Sequence, residues 1–324
     1  AITELSKNFH TKVLTTSDKV RIPGAQHVPF DEHRAKDVAR GIVRIAIDNF
    51  PNRKKRGSHI TKKYPVIAGF SQEYIEYMQG GKWRASFRPL NDAIMAGRIR
   101  GAVGLAGCDN PRFPSTGVHK FLALELIKND VLVLSTGCSS ASCGTAGFLT
   151  PEMALENAGP GLREVCEAIG IPPILHLGSC VDNTRILTIA TAMAAEGGLS
   201  DEIGGMPAVG IAPEWITEKA IAIGCYFAAS GVPVIFGGES PVGASAEVTR
   251  IMTEVWFERF KGALHFEPDP EKILEMALDY IDKAREALKL KKYEPGKFGA
   301  ERVLMDMAAR REIERAAKPH IGIY

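Results

Sequence analysis

Hydrophobic residues in the middle of the chain form short continuous runs, and segments of helical periodicity lie between them. Continuous runs are typical of strands covered on both faces, whereas half-exposed strands alternate apolar and polar positions. The runs predict strands at residues 65–68, 102–106, 131–134, 174–177, 208–211 and 232–236. The periodic segments predict helices over 116–128, 160–169, 182–197, 214–230 and 245–260. This alternation predicts an α/β fold with a doubly wound, mostly parallel sheet of Rossmann type.

The two ends of the chain follow other patterns. Residues 13–16 predict a short strand and residues 31–49 an amphipathic helix, followed by a polar, basic break at 51–58 that we interpret as a linker. We therefore expect a first domain at 1–58, a complete sheet domain at 59–289 that ends in a helix over 269–289, and a charged helical tail at 290–324.

Composition narrows the class of protein. The chain has 324 residues, of which 45% are hydrophobic, and 40 basic residues against 38 acidic ones leave a net charge of +2. This near-balance argues against a general nucleic-acid or membrane-surface binder. Six cysteines are too few for a disulfide scaffold, and no apolar run is long enough to span a bilayer. We expect a cytoplasmic protein with reduced thiols.

Motifs for common cofactors are missing from the sequence. It contains no GxxxxGK[ST] loop, no GxGxxG after a strand, no GxSxG elbow and no HExxH helix. A nucleotide-dependent enzyme therefore has no support from motifs.

Three cysteines follow predicted strands, each just after a glycine or another small residue. Cys108, Cys138 and Cys180 are separated by 30 and 42 residues, each about the length of one strand–helix–strand unit. Because the carboxyl ends of parallel strands share one edge of a sheet, these thiols should lie in one pocket. Converging thiolates are soft ligands that suit iron–sulfur clusters, zinc or nickel. Small apolar caps of the strands and a redox or nucleophilic cysteine are the alternatives.

Other candidates carry weaker signals. Cys143 follows Cys138 by five positions and could reach the same pocket as an extra ligand, whereas Cys166 and Cys225 fit packed helices. Lys219 lies at the predicted carboxyl edge, where it could bind an anion or act as an acid, although the residue pattern alone favours a solvated lysine of a first helical turn. His176 fits a core histidine better than a ligand.

Several motifs resemble nickel-dependent carbon monoxide dehydrogenases. They are FHTK at 9–12, LAGCDNPR at 105–112, STGCS at 135–139, HLGSCVDN at 176–183 and EKAIAIG at 218–224, and the similarity covers about residues 1–288. The hybrid cluster proteins share the fold and carry Trp-x-Glu-x-Lys. Here Thr217 stands where the glutamate ligand would be, between Trp215 and Lys219, which favours the dehydrogenases.

The resemblance implies a buried nickel–iron–sulfur cluster that interconverts CO and CO2. Cys108, Cys138 and Cys180 would be cluster ligands, with Cys180 on the nickel side. Lys219 would stabilise the bound carboxylate oxygen, and Ile223 would line the open metal position. It also implies an anaerobic, homodimeric oxidoreductase with a ferredoxin-like electron acceptor, and acetyl-CoA synthase as a further partner.

Family members are about twice as long as this chain. Their N-terminal half supplies the remaining cluster ligands, a histidine relay for protons and the cysteines of further 4Fe-4S clusters. We therefore interpret residues 1–58 as the end of a second Rossmann-like domain and expect Ala1 to be a cut. The activity should then require an N-terminal half or a separate chain. The alternative is a stand-alone iron–sulfur or nickel binding module, or a hybrid-cluster-type reductase, without CO chemistry.

Overall fold

The computed structural model describes residues 12–18, 23–52, 66–109 and 117–297. The chain divides into two compact units, residues 1–63 and 64–324. The domain boundary expected after residue 58 and most of the FHTK motif lie outside the described residues, and that boundary stays a prediction. Among the described ranges, every helix is too short or too polar to cross a membrane.

The first unit confirms its two predicted elements. Strand β1 (Leu14–Thr15) pairs in parallel with β2 (Gln26–His27). A 3-10 turn, Glu32–Arg34, leads into helix α1 (Ala35–Asn49). This turn begins at Asp31, whose carboxylate accepts a hydrogen bond from the His33 N–H at 2.9 Å.

The second unit contains a six-stranded sheet with helices between its strands. Its strands are β3 (Gly101–Leu105), β4 (Val131–Thr136), β5 (Ile174–Gly178), β6 (Ala208–Ala212), β7 (Val234–Gly237) and β8 (Leu264–Glu267). Three helices precede the sheet: α2 (Gln72–Met78), α3 (Gly81–Arg84) and α4 (Arg88–Met95). Helices α5 (Val118–Lys128), α6 (Gly137–Thr145), α7 (Pro151–Asn157), α8 (Pro160–Ile169) and α9 (Thr184–Glu196) follow. The remaining helices are α10 (Glu218–Ala229), α11 (Ala246–Arg250), α12 (Trp256–Phe260) and α13 (Pro270–Ala287), and a π-helical turn, Ile251–Val255, joins α11 to α12.

All six strands are parallel, in the order β5-β4-β3-β6-β7-β8. The chain starts at the centre with β3, moves outward to β5 and then returns to β6 beside β3. This is the order of a Rossmann sheet, and the direction reverses between β3 and β6. Ligands of such sheets bind where the reversal opens a crevice at the carboxyl ends of the strands. The predicted doubly wound α/β fold is confirmed.

The sheet differs from the prediction at two places. Of the expected strand at 65–68, the described residues Val66–Ala68 belong to no sheet; the Ile67 N–H donates to the Leu149 carbonyl at 3.1 Å instead. Strand β8 was not expected, because His265 and Glu267 interrupt its apolar run. It lies at the edge of the sheet, where alternating polar residues are tolerated.

The C-terminal segment of the second unit packs against the sheet domain as far as the structure describes it. Residues 290–297 are not helical, and the helix expected further along the tail lies outside the described residues. The Tyr293 hydroxyl donates a 2.6 Å hydrogen bond to the Asp130 carboxylate.

Candidate metal centre at the carboxyl edge of the sheet

A cavity of about 630 Å³ lies at the carboxyl ends of β3 and β6, where the strand order reverses. Cys108, Cys180, Lys219 and Ile223 line it. These four residues come from three different strand–helix connections, so the topology of the sheet brings them together. The cavity lies at the place that the strand order predicts for a ligand.

Cys108 is half-buried in the loop after β3. Its N–H donates to the Glu214 carbonyl at 2.8 Å. Gly107 has φ +120°, and a Cβ there would lie 2.5 Å from the same carbonyl oxygen, so this approach requires glycine. Burial raises the pKa of the Cys108 thiol, and the neighbouring Cys138 and Cys180 raise it further, against a lowering by the Ile216 N–H.

Cys138 is half-buried in the first turn of α6, directly after β4. The preceding Gly137 has φ +60°, and a Cβ there would lie 2.7 Å from the Cys180 Sγ. The glycine therefore allows the Cys180 thiol to approach the backbone that carries Cys138. Cys138 itself is not among the residues that line the cavity, although it is near enough to Cys108 to raise the pKa of that thiol slightly.

Cys180 is exposed and begins a 3-10 turn, Cys180–Asp182, after β5. A capping box fixes this turn: the Ser179 N–H donates to the Asp182 carboxylate at 2.8 Å, and the Asp182 N–H bonds back to the Ser179 side chain. The Ser179 N–H also holds the pKa of Asp182 below its usual value.

Lys219 and Ile223 lie on helix α10, which begins after β6. The Thr217 hydroxyl accepts from the Lys219 N–H, so the helix begins at Glu218, four residues later than predicted. Lys219 and Ile223 are four residues apart and therefore share the helix face that lines the cavity. The exposed ammonium group and the half-buried isoleucine contribute charge and apolar surface to one wall.

The other three cysteines lie outside this cavity. Cys143 is fully buried in the hydrophobic core, and burial raises the pKa of its thiol to about 12. Five helical positions rotate it by more than a third of a turn from Cys138, which directs it to the core, so the structure does not bring the predicted extra ligand to the cavity. Cys166 is buried in α8, as expected, and burial raises its pKa. Cys225 is half-buried on α10 and does not line the cavity.

Two pairs of polar side chains at the site were not expected from the sequence. The Thr136 hydroxyl donates to the Asn183 side-chain oxygen, and both residues line the cavity. His119 and Ser139 are buried together at 2.8 Å beside the Cys108 loop, and burial lowers the pKa of His119. Thr136, Ser139 and Asn183 lie within the STGCS and HLGSCVDN motifs, which could have indicated them, whereas His119 lies outside every quoted motif and only the fold reveals it.

Cysteine thiols are soft donors of the kind that hold iron–sulfur clusters, zinc or nickel. In the described part of the chain, no group of three or more His, Cys, Asp or Glu side chains is arranged to hold one metal ion. Cysteines that ligate an iron–sulfur cluster each bind a different iron, so they need not converge on one point. Three thiols on three loops around a cavity fit this requirement.

A Rossmann-type α/β domain with three thiols at one sheet edge defines a class of proteins that bind soft metals or clusters. The chain belongs to the Prismane/CO dehydrogenase family, whose model matches residues 1–271. This finding confirms the resemblance seen in the sequence.

Relatives agree with the family and the fold. Carbon monoxide dehydrogenase 1 of Methanosarcina mazei is 44% identical over 291 residues, which cover 90% of this chain and 45% of that protein. A Ni-free carbon monoxide dehydrogenase from Thermococcus sp. AM4, produced without the CooC maturase, is 45% identical with a TM-score of 0.79, covering 89% of this chain and 45% of that one. Carbon monoxide dehydrogenase IV of Carboxydothermus hydrogenoformans is 37% identical with a TM-score of 0.80, covering 89% and 47%. The chain thus spans about half the length of these relatives.

Proposed function

We propose that this chain forms part of a nickel–iron–sulfur site that interconverts CO and CO2, with CO and water giving CO2, two protons and two electrons. Cys108, Cys180, Lys219 and Ile223 line one sheet-edge cavity, and Cys138 follows the glycine that packs against Cys180; this arrangement carries the proposal. Membership of the Prismane/CO dehydrogenase family supports the same chemistry.

Cys108, Cys138 and Cys180 would hold the cluster, with Cys180 on the nickel side. The bound cluster would supply the two-electron redox chemistry, which no side chain of this site provides. Because the pKa of the Cys108 thiol is raised, its proton must leave when metal binds. Assembly of the site should therefore become more favourable as pH rises.

Lys219 and Ile223 would act on the substrate. An ammonium group on the cavity wall would stabilise a developing carboxylate, and more strongly where bound substrate displaces water. Ile223, one turn away on the same face, presents apolar surface that suits CO and disfavours water. The helix fixes the backbone positions of both residues relative to each other.

Three thiols leave a cluster without its full set of ligands, and Cys143 is buried elsewhere. We infer that another polypeptide segment completes the site, consistent with relatives about twice as long as this chain. A ferredoxin-like electron acceptor, a homodimer, association with acetyl-CoA synthase and a cytoplasmic location also belong to this proposal.

A chimera tests the proposal. This chain would replace the matching part of the Methanosarcina mazei relative, and the anaerobically purified protein would be assayed for iron, nickel and CO-dependent reduction of methyl viologen. We expect both metals and activity in the chimera, and loss of both in Cys108→Ser, Cys138→Ser and Cys180→Ser. Cys225→Ser is the matched control and should keep both, because Cys225 lies within α10 and follows none of the strand ends that carry the three cysteines.

Two outcomes would contradict the proposal. Metal content independent of the three cysteines would exclude the site itself. A chimera that binds iron through these cysteines, with no CO oxidation, would favour a binding module or a hybrid-cluster-type reductase instead.

A further inference from the structure

His119 contacts the backbone of a proposed cluster ligand. It lies in the first turn of α5 with 3% of its surface exposed. Its Nε2 is 3.0 Å from the Cys108 carbonyl oxygen. Because a carbonyl oxygen only accepts hydrogen bonds, Nε2 must carry the hydrogen.

The other ring nitrogen faces the loop of a second proposed ligand. Nδ1 of His119 is 2.8 Å from the hydroxyl oxygen of Ser139, the residue after Cys138. The same hydroxyl oxygen is 2.6 Å from the Ala106 carbonyl, at the end of β3, and its single hydrogen is shared between this carbonyl and Nδ1. One imidazole and one hydroxyl therefore connect the Cys108 loop to the helix turn that carries Cys138.

A second backbone contact holds the Cys108 loop. The Cys108 N–H donates to the Glu214 carbonyl at 2.8 Å. A Cβ on Gly107 would lie 2.5 Å from that carbonyl oxygen and 3.4 Å from the His119 ring, which leaves no space for a side chain. The N–H and the carbonyl of Cys108 are therefore both held, by Glu214 and by His119, and loss of the imidazole removes one of these two contacts.

We propose that His119 is a positioning residue that, together with Ser139, sets the separation of the Cys108 and Cys138 thiols. We call these two side chains the His119–Ser139 tether. The importance of the tether for a cluster rests on the proposed function, whereas the tether itself is a property of the polypeptide. Groups that orient metal ligands in this way commonly contribute about 10- to 100-fold to metal affinity.

Cysteine alkylation in the full chain, without metal, tests the tether directly. Rates at each cysteine would be followed by mass spectrometry in the wild type, His119→Phe, His119→Gln and Ser139→Ala. We expect His119→Phe to increase the rates at Cys108 and Cys138 about 10-fold, because buried hydrogen bonds that hold the loops are lost. His119→Gln, whose amide can still donate to the Cys108 carbonyl, should restore a rate closer to that of the wild type.

The chain contains its own controls for this experiment. Cys180 is exposed and lies outside the tether, so its rate should not change. Cys143 and Cys166 are buried and report unfolding of the whole domain. His265→Phe changes another histidine, which bonds to Tyr280 away from the cavity, and should leave the rates at Cys108 and Cys138 as in the wild type.

Equal rates at Cys108 and Cys138 in His119→Phe and His265→Phe would overturn the tether. Where labelling of Cys143 and Cys166 shows that His119→Phe unfolds, Ser139→Ala decides: faster labelling of Cys108 and Cys138 supports the tether, and unchanged rates overturn it. These outcomes decide on the tether even where the proposed function fails.

Iron loss from the chimera tests the consequence for a cluster. With His119→Phe, a chelator should remove iron about 10-fold faster than from the unmodified chimera, and His119→Gln should slow this loss again. Unchanged iron loss together with faster alkylation would overturn the role in cluster binding. A chimera that binds no iron at all would refute the proposed function, while the alkylation pattern still decides on the tether.

Discussion

The charge at the site depends on the protonation of its thiols and on the positive charge of a lysine. Burial raises the pKa of the Cys108 thiol, so the protein alone favours the neutral thiol there. Lys219 brings a positive charge to the same cavity wall, where it lies with apolar side chains such as Ile223. Thiolates formed on metal binding and an anionic substrate would both interact favourably with this lysine.

Replacing Lys219 should impair turnover and leave the metal in place. In the chimera we expect Lys219→Ala to lower kcat/KM for CO about 100-fold, since one group that stabilises developing charge is removed. Lys219→Arg should retain part of the activity because it keeps the charge. Methyl viologen reduction and metal analysis of the same samples measure the two effects separately.

Lys272→Ala is the matched control, because Lys272 is an exposed lysine in the first turn of another helix, α13. It should behave like the unmodified chimera. A Lys219→Ala variant with unchanged kcat/KM, or one that has lost its metal, would contradict the role assigned to the ammonium group.

At the scale of elements, each strand that leads to a site cysteine ends in a tight turn that requires glycine. Gly107 and Gly137 precede Cys108 and Cys138 and have positive φ, in regions that L-residues rarely adopt. Side chains at either position would collide with the neighbouring connection. The glycines therefore do two things: they turn the chain and allow the loops to approach one another.

Gly137→Ala, compared with a control that has only backbone strain, tests the importance of the close approach between the loops. Its new Cβ would lie 2.7 Å from the Cys180 Sγ, so the thiol must move. Gly238, directly after β7, has φ +84°, and a Cβ there would meet no heavy atom within 4 Å, which makes Gly238→Ala the control for strain. Each variant should lose about 1 kcal/mol of unfolding free energy in urea. Only Gly137→Ala should lower the iron content of the chimera, and equal iron in both would contradict the importance of this close approach.

The sequence was sufficient to predict elements whose signal is local or topological. Continuous apolar runs predict five of the six strands, and the rule that parallel strands end at one edge predicts that Cys108, Cys138 and Cys180 lie at that edge. Helix α6 escaped prediction because its residues are small and polar and show no apolar periodicity. The sequence does not indicate His119 either. Its contact with Ser139, 20 residues away, exists only because α5 packs against α6.

In the second unit, the carboxyl and amino edges of the sheet carry different structural features. The carboxyl edge holds the cavity, whereas buried polar groups join distant segments near the amino ends of the strands. Arg285 is almost fully buried and donates to the carbonyls of Ile94, Arg100 and Lys291. Asp130, also fully buried, accepts from the Leu162 N–H at 2.9 Å and from the Tyr293 hydroxyl, 163 residues away. These contacts attach the C-terminal segment to the sheet domain.

Asp130 should make the stability of this domain depend on pH. Burial raises the pKa of its carboxyl above the usual 3.8, although the hydrogen bonds from Leu162 and Tyr293 oppose the shift. At a pH between the two values the unfolded chain is ionised and the folded chain is protonated, so folding binds a proton. The free energy of unfolding should therefore fall as pH rises from about 4 through the raised pKa.

Asp130→Asn removes this titration and keeps an oxygen that accepts from the Leu162 N–H; asparagine also tolerates the positive φ of 58° at this position. Urea unfolding of the full chain between pH 4 and 7 should show a smaller fall with pH in Asp130→Asn than in the wild type. Asp201→Asn, at an exposed aspartate, should follow the wild type.

Tyr293→Phe removes a hydrogen bond to the Asp130 carboxylate, so the fall in unfolding free energy should extend to higher pH, and stability should drop by about 1 kcal/mol. Equal pH dependence in the wild type and Asp130→Asn would show that the buried carboxyl does not control the attachment of the C-terminal segment.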